Sequence, residues 1–337
     1  MQASEVVLDV RGLSKFFPVS AGGVLGLGGE PKRIHAVEDV TFSLRRAEIL
    51  ALVGESGSGK STIARLIAGL YPLTAGEIFF HGQNVSRLHG RRALLRYRSQ
   101  VQMVFQDPFA SLNPVKTIAH HIERPLSLHR QASGRRARRA MVHELLRTVG
   151  LTPPDEVAAK FPHQLSGGQR QRVSFARALA VHPEVILADE PVSMLDVSIR
   201  MGILNMMAAL RDERGLSYLY ITHDLASARY IADQTLVLYA GHLVEAAESE
   251  EVMVRPLHPY TQLLLSAVPD PMAGLAQKRV EARGEIPTVI NPQPGCRFAN
   301  RCPHVMDICR RATPELYQPQ PGHRVRCYLY APPGTAQ

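Results

Sequence analysis

Apolar residues in this chain fall into short runs separated by polar turns. Ile49-Leu50-Ala51-Leu52-Val53 is apolar throughout and reads as a buried strand, as does the run Val185-Ile186-Leu187-Ala188. Val101-Gln102-Met103-Val104-Phe105 and Ser217-Tyr218-Leu219-Tyr220-Ile221-Thr222 predict two more strands. Residues 6–10 alternate weakly and predict an edge strand, and residues 36–44 and 76–80 predict two further strands. Helical spacing occupies 62–68, 173–180 and the basic stretch 118–149, which is interrupted at Ala132-Ser133-Gly134. Strands interleaved with helices predict an α/β fold, and 118–149 reads as part of an inserted helical lobe.

Chemistry-bearing residues sit where the predicted strands end. After 49–53 comes Gly54-Glu55-Ser56-Gly57-Ser58-Gly59-Lys60-Ser61-Thr62, a G-x-x-x-x-G-K-S turn opening a helix. Glycines let successive N–H groups face phosphates, the helix N-terminus adds partial positive charge, Lys60 reaches the β- and γ-phosphates, and Ser61 ligates Mg²⁺. The pattern implies ATP or GTP.

Gln106 follows the 101–105 strand and is placed to complete the Mg²⁺ shell and position a water. Asp189 and Glu190 close the 185–188 run; alternation predicts that they point in opposite directions, Asp189 toward Mg²⁺ and Glu190 toward the hydrolytic water. An Asp-Glu pair alone would be a surface strand end, but the phosphate loop in the same chain changes that reading. His223 ends the 217–222 strand at the edge where open α/β sheets place ligands, and is expected to meet the γ-phosphate. Phe16-Phe17-Pro18 offers an aromatic face for adenine, with Phe17 expected to stack on the base.

A second glycine-bearing helix start, Leu165-Ser166-Gly167-Gly168-Gln169, has Ser166 as its expected N-cap. The first loop already serves one nucleotide, so the second is expected to cap a nucleotide held by another subunit. Ser193-Met194-Leu195-Asp196 follows as a tight turn.

The 337 residues suit one large domain plus a smaller one. Neither a run of about 18 apolar residues nor an export leader is present, so a cytosolic protein is expected. A net charge of +9 raises nucleic acid or an anionic membrane as partners, but the excess is scattered and Arg supplies 33 of 39 basic residues, which reads as a compositional bias on a solvated surface. No nucleic-acid partner is expected. A glycine-rich loop at 20–31 is expected to be mobile.

Cys296, Cys302, Cys309 and Cys327 are the only cysteines, gathered in a Pro-rich stretch near the C-terminus. A reducing compartment disfavours disulfides, and four thiolates on a segment with little core suit a metal centre. Zinc is a candidate although C-x₂-C knuckles are missing, and unmetallated thiols are another.

In order and spacing, residues 54–61, Gln106, 165–169, 185–190, 193–196 and His223 together resemble the nucleotide-binding subunit of an ABC transporter. Phe105-Gln106-Asp107-Pro108 with Ser111-Leu112-Asn113-Pro114, Glu190-Pro191-Val192-Ser193 with Leu195-Asp196-Val197-Ser198, and His258-Pro259-Tyr260-Thr261 with Leu264-Leu265-Ser266-Ala267-Val268-Pro269 resemble the dipeptide/oligopeptide importer branch.

The resemblance implies a P-loop ABC-type nucleotide-binding domain over residues 1–265, with a helical subdomain at about 107–182 that receives a permease. A small Cys-containing extension over 266–337 completes the chain. It implies that Gly54, Ser56, Gly57, Gly59, Lys60, Ser61 and Thr62 bind ATP and Mg²⁺, and that Ser166, Gly168 and Gln169 cap the partner's ATP. Asp196 is expected to signal across the dimer. Glu190, Gln106 and His223 are the expected catalytic residues, with Ser61, Gln106 and Asp189 on Mg²⁺. Met194 stands where many relatives have Ala. Some importer ATPases resembling this chain carry a [4Fe–4S] cluster on such cysteines, which places that cluster first and zinc second.

Implied partners are a second ABC ATPase subunit, identical or not, two transmembrane permease subunits and an extracytoplasmic solute-binding protein, with the chain peripheral at the cytoplasmic membrane face. Peptide is the expected solute, with nickel, glutathione and oligosaccharide as alternatives. A soluble ABC ATPase acting on DNA or the ribosome would need a coiled coil or a second ATPase domain, and a P-loop kinase has no use for 165–169.

Overall fold

Residues 5–19, 32–88, 90–266 and 289–333 are described by a computed structural model. The glycine-rich stretch 20–31 and residues 267–288, which open the expected extension, lie outside them. The chain opens with β1 (Val6–Pro18) and β2 (Arg33–Arg45), then β3 (Ile49–Val53), which leads through the phosphate loop into α1 (Lys60–Ile67). β4 (Ala75–Phe80), β5 (Gln83–Asn84), α2 (Arg91–Gln100) and β6 (Val101–Val104) follow. The helical lobe contains α3 (Pro108–Ser111), α4 (Ile118–Leu128), α5 (Arg135–Thr148), α6 (Pro154–Ala159) and α7 (Gly167–Leu179). Next come β7 (Val185–Asp189), α8 (Val197–Arg214), β8 (Ser217–Thr222), α9 (Leu225–Ile231), β9 (Gln234–Tyr239) and β10 (His242–Glu248). The C-terminal part adds α10 (Ser249–Val254), α11 (Pro259–Ser266), α12 (Asp307–Arg311), β11 (Tyr317–Gln320) and β12 (His323–Val325).

β3 is apolar at every position because it is buried on both faces. Ile49, Ala51 and Val53 join a core shared with α4, α5, α7 and α8, whereas Leu50 and Leu52 join one shared with β1, β2 and α1. β7 and β8 divide in the same way, with Ile186, Ala188, Tyr218 and Tyr220 on the first side and Leu187, Leu219 and Ile221 on the second. Each such Leu or Ile contributes about 1.5–3 kcal/mol by leaving water. The main sheet has the order β11-β12-β10-β9-β3-β8-β7-β6. Its members β9, β3, β8, β7 and β6 run parallel, so β3, β6, β7 and β8 release their following loops at one edge.

The predicted edge strand at 6–10 is corrected. β1 spans 13 residues and lies inside the second sheet, β2-β1-β4-β5, paired on both sides. Register shifts along its pairing with β2 break the two-residue period and hide its length.

The C-terminal region continues the main sheet through β12, which pairs with β10 at Glu245 and Ala246. Glu245 is fully buried and accepts hydrogen bonds from the backbone N–H groups of Leu257 (2.7 Å) and His258 (2.9 Å), and its Oε1 lies 2.7 Å from His323 Nε2. One carboxylate thus ties β10, the approach to α11 and β12 together. Among the described residues no helix is long and apolar enough to cross a membrane.

The four cysteines are free and line one small pocket with Phe298, Ala299, Met306 and Tyr328. The expected [4Fe–4S] cluster, and zinc in its place, are overturned. Among the described residues no group of three or more His, Cys, Asp or Glu side chains is arranged to hold a metal ion. Burial pushes Cys296 up to about 12 and Cys327 up to about 11, and raises Cys302, so these sulfurs are neutral thiols that pack as small apolar groups.

His258 is fully buried and its Nδ1 accepts from the N–H of Tyr260, and burial holds its pKa down to about 4. The unfolded chain therefore takes up this proton near the ordinary 6.5 while the folded chain refuses it, so stability falls as pH drops from about 6.5 toward 4. Thermal unfolding followed across that window should lose a component of the acid slope in His258→Asn, whose carbonyl keeps the acceptor. An unchanged slope would assign the acid sensitivity to other groups.

Candidate active site

The phosphate loop is shaped by close backbone approaches. A Cβ on Gly54 would lie 2.2 Å from the Leu238 carbonyl oxygen, and one on Gly59 would lie 2.3 Å from that of Ala36. Gly59 also has φ +106, in the left-handed region that favours glycine. The N–H of Gly241 donates to the Ser58 carbonyl at 2.8 Å, securing the loop to the β9–β10 turn.

At the start of α1, Lys60 is 4 % exposed and its Nζ donates to the carbonyls of Gly54 (2.6 Å) and Glu55 (2.9 Å). Burial lowers its pKa, opposed by the charges of Glu190, Asp189 and Glu55. Ser61 Oγ donates to Asp189 Oδ1 at 2.8 Å. Asp189 is itself buried, which raises its pKa against the Ser61 hydrogen bond.

β7 ends at Asp189, and Glu190 takes a left-handed φ of 45°. The two carboxylates meet different partners: Asp189 contacts Ser61 and does not line the cleft, whereas Glu190 does. The left-handed conformation costs a non-glycine residue about 1–2 kcal/mol. It is held by hydrogen bonds from the Glu190 N–H to the Ile221 carbonyl and from Ser193 Oγ to the Glu190 carbonyl. Gln106 Nε2 donates to Glu190 Oε2 at 3.0 Å, and His223 Nδ1 lies 3.2 Å from the same oxygen. Three strand ends, from β6, β7 and β8, therefore converge on one carboxylate.

Glu55, Ser56, Gly57, Gly59, Lys60, Ser61, Thr62, Gln106, Glu190 and His223 line a single open cleft together with Ile34, His35, Ala36 and Val289. Ser61, Asp189 and Gln106 offer hard oxygen donors of the kind Mg²⁺ takes.

Phe17 packs elsewhere: its ring is edge-on to Tyr71 at 5.6 Å, with the Lys15 ammonium 5.0 Å from its centroid. Its neighbour Phe16 stacks at 3.9 Å on His35, a cleft residue.

Among the described residues, Ser166, Gly168, Gln169 and Asp196 do not line this cleft. Ser166 caps α7 as its sequence suggests: Ser166 Oγ accepts from the Gln169 N–H, and Gln169 Oε1 accepts from the Ser166 N–H. Gly168 lies against Ile199, whose Cγ2 would be 2.4 Å from a Cβ there. Met194 and Val197 are exposed beside Asp196.

Sequence reasoning missed the outer support of the loop. Tyr260 Oη accepts from the Glu55 N–H at 2.9 Å, and the Arg301 guanidinium grips the Glu55 carboxylate at 3.0 and 3.2 Å. Tyr260 lay within a run that marked only the resemblance; Arg301 carried no signal.

A family model described as ABC transporter matches residues 37–193, and one described as oligopeptide/dipeptide transporter, C-terminal region, matches 244–309. The chain is 45 % identical over 329 residues to the oligopeptide transport ATP-binding protein AppF of Bacillus subtilis (strain 168), covering 97 % of this chain and 98 % of that one. It is 42 % identical to the dipeptide transport ATP-binding protein DppF of Haemophilus influenzae, covering 96 % of each. Its fold is similar, with a TM-score of 0.63 and 30 % identity over 72 % of this chain and 98 % of the other, to the ATP-binding cassette MJ0796, solved as a dimer in a post-hydrolysis state bound to ADP and phosphate. A nucleotide cleft built on these strand ends, in a chain matched along nearly its whole length, identifies the protein as a member of the ABC transporter ATP-binding subunits, ATP-hydrolysing enzymes that use Mg²⁺, in their oligopeptide/dipeptide branch.

Proposed function

We propose that this chain hydrolyses ATP to energise uptake of di- or oligopeptides through two transmembrane permease subunits, which receive solute from an extracytoplasmic binding protein. Residues 1–265 form the ATPase part, with the helical lobe at about 107–182 docking the permease at the cytoplasmic membrane face, and 266–337 form the extension. What most supports the reading is the convergence of Gln106 and His223 on Glu190 across the cleft that Lys60 lines.

The phosphates lie along the N–H groups of 54–62, and Lys60 exchanges its two carbonyl partners for phosphate oxygens. Ser61, Gln106 and Asp189 would hold Mg²⁺, which would offset the charge of the β- and γ-phosphates. Glu190 orients the attacking water and accepts its proton as the new O–P bond forms and the bond to the β-phosphate oxygen breaks; ADP leaves with that electron pair. Gln106 and His223 fix the carboxylate, and His223 contacts the γ-phosphate once it arrives. Adenine lies against the part of the cleft lined by Ile34 and His35, where Phe17 or its neighbour Phe16 supplies the aromatic face.

Ser166, Gly168 and Gln169 cap the nucleotide of a second ABC ATPase subunit, and Asp196, beside that helix start, relays closure between the two. Their position outside the chain's own cleft favours a head-to-tail dimer with shared sites.

Glu190→Gln should lower kcat by about 10²–10⁴-fold and trap a closed dimer while ATP still binds, because the amide cannot take the proton. Lys60→Ala should weaken ATP binding by about 10- to 100-fold through loss of a charge-assisted contact. Steady-state hydrolysis and equilibrium binding separate the two effects, and near-normal turnover in Glu190→Gln would assign the base elsewhere. Ser166→Arg should abolish hydrolysis by the assembled dimer and leave the isolated chain's affinity for ATP unchanged. Wild-type turnover in that variant would contradict a shared site.

A further inference from the structure

Glu55, the second residue of the phosphate loop, is held at three points, two of them by groups far along the chain. Its N–H donates to Tyr260 Oη, its carboxylate accepts a two-pronged contact from Arg301, and its carbonyl oxygen accepts from Lys60 Nζ. Arg301 lies 246 residues away, in the C-terminal region, and its side chain is only 6 % exposed. Its guanidinium carbon lies 5.7 Å from the ring centroid of Tyr239 and 5.9 Å from that of Phe298, so the charge rests between two aromatic faces as well as on the carboxylate. Tyr239, Tyr260 and Phe298 belong to one buried cluster, which fixes where the guanidinium can go.

A carboxylate is an awkward neighbour for a triphosphate. Glu55 is part of the cleft lining and partly exposed to it. Unpaired, it would repel the phosphates and compete for the ammonium of Lys60. Paired with a buried guanidinium, its charge is offset and its backbone is fixed, so the carbonyl that receives Lys60 stays in place.

We propose that Arg301 is a positioning residue for ATP binding, neutralising Glu55 and holding the phosphate loop, so that the C-terminal region takes part in the nucleotide site of its own chain. The inference rests on the cleft being the ATP site. It gives the extension a role that needs no metal and reaches the chemistry only through Glu55. A second clamp points the same way: Arg297 contacts the Glu38 carboxylate and the Ala240 carbonyl, next to the Gly241 N–H that holds Ser58.

The test uses the purified full chain with Mg²⁺ and measures ATP affinity at equilibrium beside steady-state kcat and KM. Arg301→Met keeps the apolar stem and removes the charge; affinity should fall by about tenfold, the scale of one lost charge-assisted contact. KM should rise with it and kcat at saturating ATP should stay within about twofold, because the contact acts on binding and not on the chemical step. Arg301→Lys, which keeps charge without the planar fork, should fall between the two. Adding Glu55→Gln to Arg301→Met removes the unpaired carboxylate and should recover most of the lost affinity.

Recovery is the decisive readout, since general damage to the C-terminal packing would not be repaired by a change in the phosphate loop. Wild-type affinity in Arg301→Met, or no recovery in the double variant, would overturn the proposal. Absence of ATP binding by the unaltered chain would overturn the ATP-site reading itself, and is a distinct result from either.

Discussion

Lys60 carries its charge where water hardly reaches, and the surrounding structure is arranged to tolerate that. Desolvation works against the ammonium; two loop carbonyls and the nearby carboxylates of Glu190, Asp189 and Glu55 work for it. The carbonyls are aimed by a loop that can close only because Gly54 and Gly59 allow other strands' backbones to come near. Asp189 is in turn supported by Ser61, and Glu190 by Gln106 and His223. The cleft is thus a set of mutually satisfied polar groups, and in the proposed mechanism each of them exchanges its partner for phosphate, Mg²⁺ or water when ATP enters. An internally satisfied site of this kind is stable before nucleotide binds and is already shaped for it.

The sheet explains why these groups meet. Four parallel strands, three of them buried on both faces, end at one edge, and the residues that follow them arrive there regardless of their separation in the chain. The antiparallel continuation through β10 and β12 brings the C-terminal region to the same neighbourhood. Glu245 fastens that continuation internally, with three hydrogen-bonding partners around a fully buried carboxylate. Losing it would leave buried donors unpaired, a far larger penalty than the loss of an exposed ion pair.

What could be read from the sequence was local. The phosphate loop, the N-cap Ser166, and the strand-end positions of Asp189 and His223 are set by a few consecutive residues, and the structure has them where the pattern put them. Gln106, read as the end of its strand, lies two residues past β6. Features that depend on distant contacts or on backbone irregularity were not legible. The left-handed turn at Glu190 carries no signal in the pattern, bulges conceal the length of β1, and the grip of Arg301 on Glu55 leaves no trace in spacing. The cysteines illustrate the difference. Their gathering was evident, but spacing says nothing of the apolar packing and burial around them, which leave Cys296, Cys302 and Cys327 as neutral thiols. The contacts of Phe17 with Tyr71 and Lys15, and of Phe16 with His35, are likewise set by strand register and not by local spacing.

The central claim is that the cleft hands its internal contacts over to Mg²⁺ and ATP together, with Ser61 and Asp189 releasing each other to do so. Calorimetric titration of the full chain with ATP, run once with Mg²⁺ and once with a chelator, tests this most directly. One nucleotide per chain, bound at least about tenfold more tightly with Mg²⁺, is the predicted result. Equal affinity with and without the ion, or no saturable binding, would contradict the account.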